Sequence, residues 1–238
     1  MLKKILNYFT KGEAALWLCS VTAIAASFLI FDRTDWLKLA ASLIGITALI
    51  FNAKGNPAGQ ILIIVFSVLY GIISYSFAYY GEMITYMGMS APMAVLAFIS
   101  WVRNPYNGNR SEVKVNRIKR GEIVFMLILT APVTVAFYFI LDRFGTANLV
   151  PSTISVTTSF IAVYLTFRRS EFYALAYAAN DLILIVLWVM AAISDISYLS
   201  VIICFAMFLI NDLYGFISWR KMGKRQADND AEKALIHK

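Results

Sequence analysis

Long apolar stretches alternate with short polar ones along almost the whole chain. Eight of them approach or exceed the length of about 20 mainly apolar residues that a transmembrane helix needs. We place these stretches at 14–31, 36–51, 58–80, 83–101, 121–141, 149–167, 171–193 and 197–219, and the second is the shortest. The pattern predicts an all-α integral membrane protein with eight transmembrane helices.

The composition agrees with this class and excludes several others. Of the 238 residues 60% are apolar, and the mean hydropathy is +0.70. No polar segment is long enough to fold as a separate soluble domain. The only histidine, His237, lies beside the C-terminus, which excludes a histidine-based triad or metal cluster. Cys19 and Cys204 fall within spans, so we expect buried free thiols. No cofactor is predicted.

The basic residues are sorted by loop. Eighteen Lys and Arg lie on the side of the two termini, whereas only Arg33, Lys38 and Arg143 lie on the other side. By the positive-inside rule, both termini are predicted to be cytoplasmic. The net charge of +7 therefore reflects membrane topology, and the basic loop and tail are expected to contact anionic lipid, not nucleic acid.

The two halves of the chain contain a repeated motif. FISWVR ends the fourth span and FISWRK ends the eighth, at an offset of 118 residues. This predicts a parallel repeat of two three-helix bundles, the type that transporters place around a central site. The alternative is that Ile-Ser-Trp recurs by chance in an aromatic belt. The predicted segments are a lead-in and extra helix (1–35), bundle 1 (36–101), a basic loop and linker helix (102–148), bundle 2 (149–219) and a basic tail (220–238).

Polar residues within the spans indicate a site. On the seventh span an inward-facing stripe has the spacing i, i+3, i+4, i+7 and i+11. It consists of Tyr177, Asn180, Asp181, Leu184 and Trp188. An Asp at membrane depth costs roughly 2.5–3.5 kcal/mol on insertion scales, which favours a role in function. The alternative is a structural hydrogen-bond network between helices.

Two further spans supply candidates. On the third span, Gln60, Ser67 and Tyr70 share one face, and on the eighth, Asn211 and Tyr214 lie close together. Asp212 lies about 200° from Tyr214 around the helix, so we expect it to have a different role from Asn211. The candidate lining contains aromatic, amide, hydroxyl and carboxyl groups. Without a basic group it suits a flat uncharged or cationic solute better than a phosphorylated one.

Four stretches resemble the Pnu family of vitamin transporters over residues 36–221. They are YYGEMITY (79–86), WVRNP (101–105), AAND…LW (178–188) and NDLYGFISW (211–219). The resemblance implies a SWEET-like fold, a homotrimer, and facilitated diffusion of an unphosphorylated vitamin, first of all nicotinamide riboside. It also implies that a cytoplasmic kinase then traps the product.

The resemblance carries over to particular residues. Asn180 matches an asparagine of the family's substrate-lining helix, and Asn211 is a second match. Nicotinamide riboside members carry a Trp-x-x-Trp pair just before that asparagine, and this chain has none in 172–177. Tyr173 and Tyr177 are the candidates to replace the two stacking surfaces. The departure keeps thiamine, riboflavin and deoxynucleosides open as substrates.

Other classes of protein remain as alternatives. A proton-coupled porter would use Asp181 as its titrating group. A scaffold or sensor would bind without flux. An intramembrane aspartyl protease would need Asp181 and Asp212 as a pair, but the Gly-x-Gly-Asp context is absent and Asp212 is expected nearer the cytoplasm. We therefore predict a transporter and no enzyme.

Overall fold

The computed structural model describes residues 8–76, 80–146 and 148–236. Within these ranges eight helices are long and apolar enough to cross a membrane, which confirms the predicted fold class. They are α1 (Lys11–Phe31), α2 (Trp36–Ala53), α3 (Ala58–Ser76), α4 (Tyr80–Val102), α5 (Arg120–Arg143), α6 (Leu149–Phe167), α7 (Tyr173–Ala192) and α8 (Leu199–Ile236). A 3₁₀ turn, Ile196–Tyr198, precedes α8.

The helix ends differ from prediction at several places. A capping box at Thr10 and Glu13 starts α1 at Lys11, and most of the predicted amphipathic lead-in, residues 1–7, lies outside the described residues. Helix α4 contains a π-helical segment, Thr85–Ser90, directly before Pro92, a kind of local widening that is common at functional sites. Helix α8 continues through the predicted basic tail to Ile236.

The predicted basic loop contains a small antiparallel hairpin. Its strands are β1 (Pro105–Tyr106) and β2 (Asn109–Val113). Asn107 and Gly108 both have positive φ, 49° and 76°, as a type I′ turn requires, and Asn-Gly is the strongest short hairpin signal in a sequence. Gln226 on α8 donates from Nε2 to the Val113 carbonyl at 3.0 Å. The hairpin is therefore held against the extension of α8.

The helices pack in an order that matches the predicted halves. In the first half α2 contacts α3 and α3 contacts α4, and in the second α6 contacts α7 and α7 contacts α8. Between the halves α2 contacts α8, and α6 contacts α4. Helix α5 packs on α6, and α1 packs on α2 and α8. The first helix of each half therefore contacts the last helix of the other half, as expected for two units related by a twofold axis. This supports the repeat, which stays a prediction.

The repeated Ile-Ser-Trp motifs make reciprocal contacts between the halves. Trp101 Nε1 donates to the Thr166 carbonyl (2.9 Å) at the end of α6. Trp219 Nε1 donates to the Asn52 carbonyl (2.7 Å) at the end of α2. The serine before each tryptophan also donates a hydrogen bond from its hydroxyl, Ser100 to the Phe167 carbonyl (2.9 Å) and Ser218 to the Ala53 carbonyl (2.7 Å). Each motif thus binds the last carbonyls of the other half's first helix, which have no partner within their own helix.

The two tryptophans are core residues. Both are 0% exposed, and their ring centroids lie 5.2 Å apart. They are not part of an aromatic belt at the membrane surface, where the rings would be partly exposed. Together the four hydrogen bonds and the ring contact join the halves at the end that the charge bias predicts to be cytoplasmic.

Candidate functional site

A cavity lies between the two halves, among α2, α3, α4, α6, α7 and α8. Its volume is about 130 Å³, whereas one water needs about 10–15 Å³. It extends from Thr146, in the turn after α5, to Asn52 near the end of α2. The cavity therefore has room for a small organic molecule along the axis between the halves.

The predicted stripe of α7 faces this cavity. All five residues of the stripe line it, and so do two of the three candidates on α3: Tyr177, Asn180, Asp181, Leu184, Trp188, Ser67 and Tyr70. Helical spacing gathered the α7 residues on one face because positions three or four apart lie above one another. The residues of the pattern therefore lie on one wall of the cavity, and their role in binding stays a prediction.

The side chain of Asn180 is oriented by α6. Its Oδ1 accepts hydrogen bonds from the Ser155 hydroxyl (3.1 Å) and the Thr158 hydroxyl (2.9 Å). Because both bonds go to Oδ1, the amide N–H groups of Nδ2 remain to donate hydrogen bonds to a bound molecule. A fixed amide of this kind suits a ligand that presents a hydroxyl or carbonyl oxygen.

Aromatic rings form a second wall. Tyr86 on α4 lies 4.7 Å from Tyr70 and 6.0 Å from Phe66, centroid to centroid. Trp188 on α7 also lines the cavity, and its ring centroid lies 5.2 Å from that of Tyr198. Rings of this size offer flat surfaces to a flat ligand, and their faces attract cations.

The charged groups of the lining are all acidic. Glu82, Asp181 and Asp212 line the cavity, while among the described residues around it there is no Lys, Arg or His. We expected Asp212 to lie nearer the cytoplasm and apart from Asp181. Instead the two carboxyl groups are in hydrogen-bonding contact, because α7 and α8 pack closely along their length.

Comparison with known proteins identifies the family. A sequence model described as "Nicotinamide mononucleotide transporter" matches residues 35–221. The chain belongs to this family. The resemblance found in the motifs is thereby confirmed, and the family is one of transporters.

Two relatives and one solved structure give the closer context. A nicotinamide riboside transporter PnuC of Neisseria mucosa is 28% identical over 218 residues, which cover 90% of this chain and 82% of the relative. One of Haemophilus influenzae is 21% identical over 80% of this chain and 82% of its own. The crystal structure titled "vitamin B3 transporter PnuC" has a TM-score of 0.78 at 24% identity, covering 92% of this chain and 94% of that one. The fold is therefore that of a transporter in this family.

Two predicted site residues lie outside the cavity lining, near the starts of α7 and α3. Tyr173 is buried against Trp219, with ring centroids 4.9 Å apart, and belongs to the tryptophan contact between the halves. Gln60 is buried at the start of α3, where its Nε2 donates to Asn52 Oδ1 at 2.9 Å. Each lies about one turn before the first cavity-lining residue of its helix, Tyr177 on α7 and Ile63 on α3. Helical periodicity predicts which face a residue is on and not its depth in the membrane.

Two other predicted residues point to α1 instead. Asn211 Nδ2 donates to the Ser20 hydroxyl at 2.9 Å. Tyr214 donates from its hydroxyl to Glu13 Oε1 at 3.0 Å. Neither residue lines the cavity. The reason is that α1 covers this face of α8, and α1 lies outside the part of the chain that the family model matches.

Sequence reasoning missed the wall that α6 supplies. Ser152, Ser155 and Ser159 line the cavity, and their spacing of i, i+3 and i+7 marks one helical face. The same holds for Glu82 and Thr85 on α4, at i and i+3. Both stripes are visible in the sequence. Single serines are common in membrane helices, so this signal is weaker than an Asn-Asp pair.

Proposed function

We propose that this protein carries nicotinamide riboside across a bacterial inner membrane by alternating access. The proposal rests on the family, on relatives that are named nicotinamide riboside transporters, and on the chemistry of the cavity. The observation that carries it is a lining of aromatic, amide and hydroxyl groups that contains carboxyl groups and, among its described residues, no basic group. Transport, not an enzymatic reaction, is the activity that we propose.

The lining favours the riboside over its mononucleotide. A phosphate carries nearly two negative charges at neutral pH and is normally bound by Arg, Lys or a helix N-terminus. In this cavity it would face Glu82, Asp181 and Asp212. Repulsion in a site of low dielectric constant is strong, so the phosphorylated form should be excluded although the family's description names it.

Substrate recognition is proposed for particular residues. Asn180 would donate from Nδ2 to the carboxamide or to a ribose oxygen, and Trp188, Tyr86 and Tyr177 would offer stacking surfaces. These rings would replace the tryptophan pair that the sequence lacks. Tyr173 is not included, because it packs against Trp219.

The mechanism and surroundings are also proposals. The two three-helix bundles would rock about the central cavity, with energy supplied by the gradient and by a cytoplasmic kinase that phosphorylates the product. Both termini would be cytoplasmic, the basic loop and the end of α8 would lie near anionic lipid, and the protein would form a homotrimer. The alternatives are that the substrate is thiamine, riboflavin or a deoxynucleoside, or that transport is coupled to protons. The experiments must distinguish among these.

Calorimetry on the detergent-purified protein tests the substrate. Nicotinamide riboside should bind saturably, while the mononucleotide, thiamine, riboflavin and deoxynucleosides should not. Asn180→Ala should weaken riboside binding about 5- to 150-fold, which corresponds to about 1–3 kcal/mol for an unsatisfied polar group. Asn229→Ala, an exposed position on the extension of α8, is the matched control and should bind as the wild type does.

Flux assays in liposomes test transport itself. The wild type should equilibrate labelled nicotinamide riboside across the bilayer, with a rate that an uncoupler does not change. Binding without flux would favour a scaffold or sensor, and uptake that collapses with an uncoupler would favour a proton-coupled porter. Binding of another vitamin alone would keep the architecture and overturn the substrate.

A further inference from the structure

The contact between Asp181 and Asp212 is the least expected feature of the cavity. Each residue is only 4% exposed, and the two come from different helices, α7 and α8. Their carboxyl groups are in hydrogen-bonding contact. A hydrogen bond between two carboxyl groups needs a proton between them, since two carboxylates have no donor. The pair therefore holds at least one proton.

Among the described residues around the cavity there is no positive charge to change this. The titratable groups near the pair are Tyr86 on α4, Tyr173 and Tyr177 on α7, and Cys204 on α8, and Tyr70 and Glu82 line the same cavity. The described cavity residues of α2 and α6 are apolar, hydroxyl or amide groups. Two adjacent carboxylates in such a setting cannot both be ionised, so the pair carries at most one negative charge.

Among the described residues that line the cavity, none carries a positive charge to offset the pair. The buried Oδ2 of Asp181 has no donor among the described residues other than the Asp212 carboxyl. A buried charge without an opposite charge beside it is costly. A ligand that brings positive charge next to Asp181 would remove this cost.

Nicotinamide riboside has the required charge. Its pyridinium ring is flat and permanently cationic, because the ring nitrogen forms the glycosidic bond. We propose that the proton-sharing pair Asp181–Asp212 is the counter-ion for this ring and selects a cationic N-riboside over an uncharged ligand of the same shape. The pair contributes one negative charge, which balances the single positive charge of the ligand. This inference rests on the proposed function, which it deepens.

The pair also makes binding depend on pH with a defined sign. A second proton would neutralise the pair and would compete with the ligand's positive charge. The affinity for the cationic riboside should therefore fall as the pH is lowered, while the affinity for an uncharged isostere should not change. The benzamide C-riboside, in which a benzene ring replaces the pyridinium, is such an isostere.

Calorimetry with both ligands tests the inference. The wild type should bind nicotinamide riboside about tenfold or more tightly than the benzamide riboside, as expected for a desolvated charge contact. The double variant Asp181→Asn/Asp212→Asn carries no charge at the pair and should weaken binding of the cation by about 30-fold or more, with little change for the uncharged ligand. Either single Asn variant keeps one carboxylate and should keep the preference for the cation. Asp181→Glu should keep the preference, and Asp142→Asn, an exposed carboxylate at the end of α5, should behave as the wild type.

The outcomes separate this inference from the proposed function. If the wild type binds no nicotinamide riboside, the proposed function fails and the counter-ion with it. If it binds the riboside but shows no preference for the cation, or if the double Asn variant keeps that preference, only the counter-ion is overturned. Should the double variant not fold, the wild-type pH series decides: parallel pH dependence for both ligands overturns the inference.

Discussion

Trp219→Phe is the substitution that tests most directly how the two halves are joined. Phe keeps an aromatic ring at a position that is 0% exposed and removes the indole N–H that donates to the Asn52 carbonyl at 2.7 Å. The equivalent substitution in the other half, Trp101→Phe, removes the bond to the Thr166 carbonyl at 2.9 Å.

The size of the effect follows from what each carbonyl retains. The Asn52 carbonyl also accepts from the Gly55 N–H at 2.9 Å, and the Thr166 carbonyl accepts from the Arg169 N–H at 3.0 Å. Neither is left without a partner, so the loss is that of an ordinary hydrogen bond, about 0.5–1.5 kcal/mol. The smaller ring adds about 1 kcal/mol for a void larger than a methyl group. A total of about 1.5–2.5 kcal/mol lowers the midpoint of unfolding by roughly 3–10 °C in a chain of this size.

Thermal unfolding in detergent, followed by circular dichroism, measures this effect. The two substitutions should lower the midpoint by similar amounts, because the contacts are equivalent. Trp36→Phe makes the same chemical change at a side chain that is 61% exposed, and its midpoint should stay close to that of the wild type. If Trp219→Phe shifted the midpoint no more than Trp36→Phe, the halves would not be joined in this way. A large effect at only one of the two sites would refute their equivalence.

Two further predictions concern close packing and a loop ion pair. Gly59→Ala should destabilise the protein by about 1–3 kcal/mol, because the added Cβ would lie 2.2 Å from Asn52 Oδ1 and 2.8 Å from the Asn52 backbone N. The Cβ added in Gly121→Ala would meet nothing within 4 Å, so this variant should be tolerated in the same unfolding assay. Burial alone would raise the pKa of Asp32, but Lys38 at 2.8 Å holds that pKa below its ordinary value of 3.8. Asp32→Asn should therefore lower the midpoint at neutral pH, and this difference should vanish as the pH falls through the lowered pKa; a difference that is constant with pH would contradict the ion pair.

Much of the fold could be predicted because the membrane constrains it strongly. A span must be apolar over about 20 residues, and polar residues inside it must face the interior. These two rules located the eight helices and the stripe from Tyr177 to Trp188. They do not apply beyond the membrane, so the helical continuation of α8 past Trp219 was missed. The hairpin was also missed, although the dipeptide Asn107-Gly108 predicts a hairpin turn.

The depth and partner of a residue were harder to predict than its face. Tyr173 lies one turn before Tyr177, yet it packs with Trp219 while Tyr177 lines the cavity. Gln60 bonds to Asn52 at the end of the bundle. In both cases the deciding contact comes from a helix distant in sequence. Helical periodicity contains no information about such a neighbour.

The two Asn-Asp pairs show the same limit most clearly. On α7 both residues line the cavity, whereas on α8 only Asp212 does so, and Asn211 bonds to Ser20 of α1. Adjacent side chains on a helix point about 100° apart. Both can therefore line the cavity only where the cavity is wide enough to reach both of them. Helix α1 gives α8 a second buried face, which also accommodates the bond from Tyr214 to Glu13. The two Asn-Asp pairs therefore have different roles because their helices have different neighbours. The extra N-terminal helix α1 binds Asn211 of the second pair, while Asp212 lines the cavity.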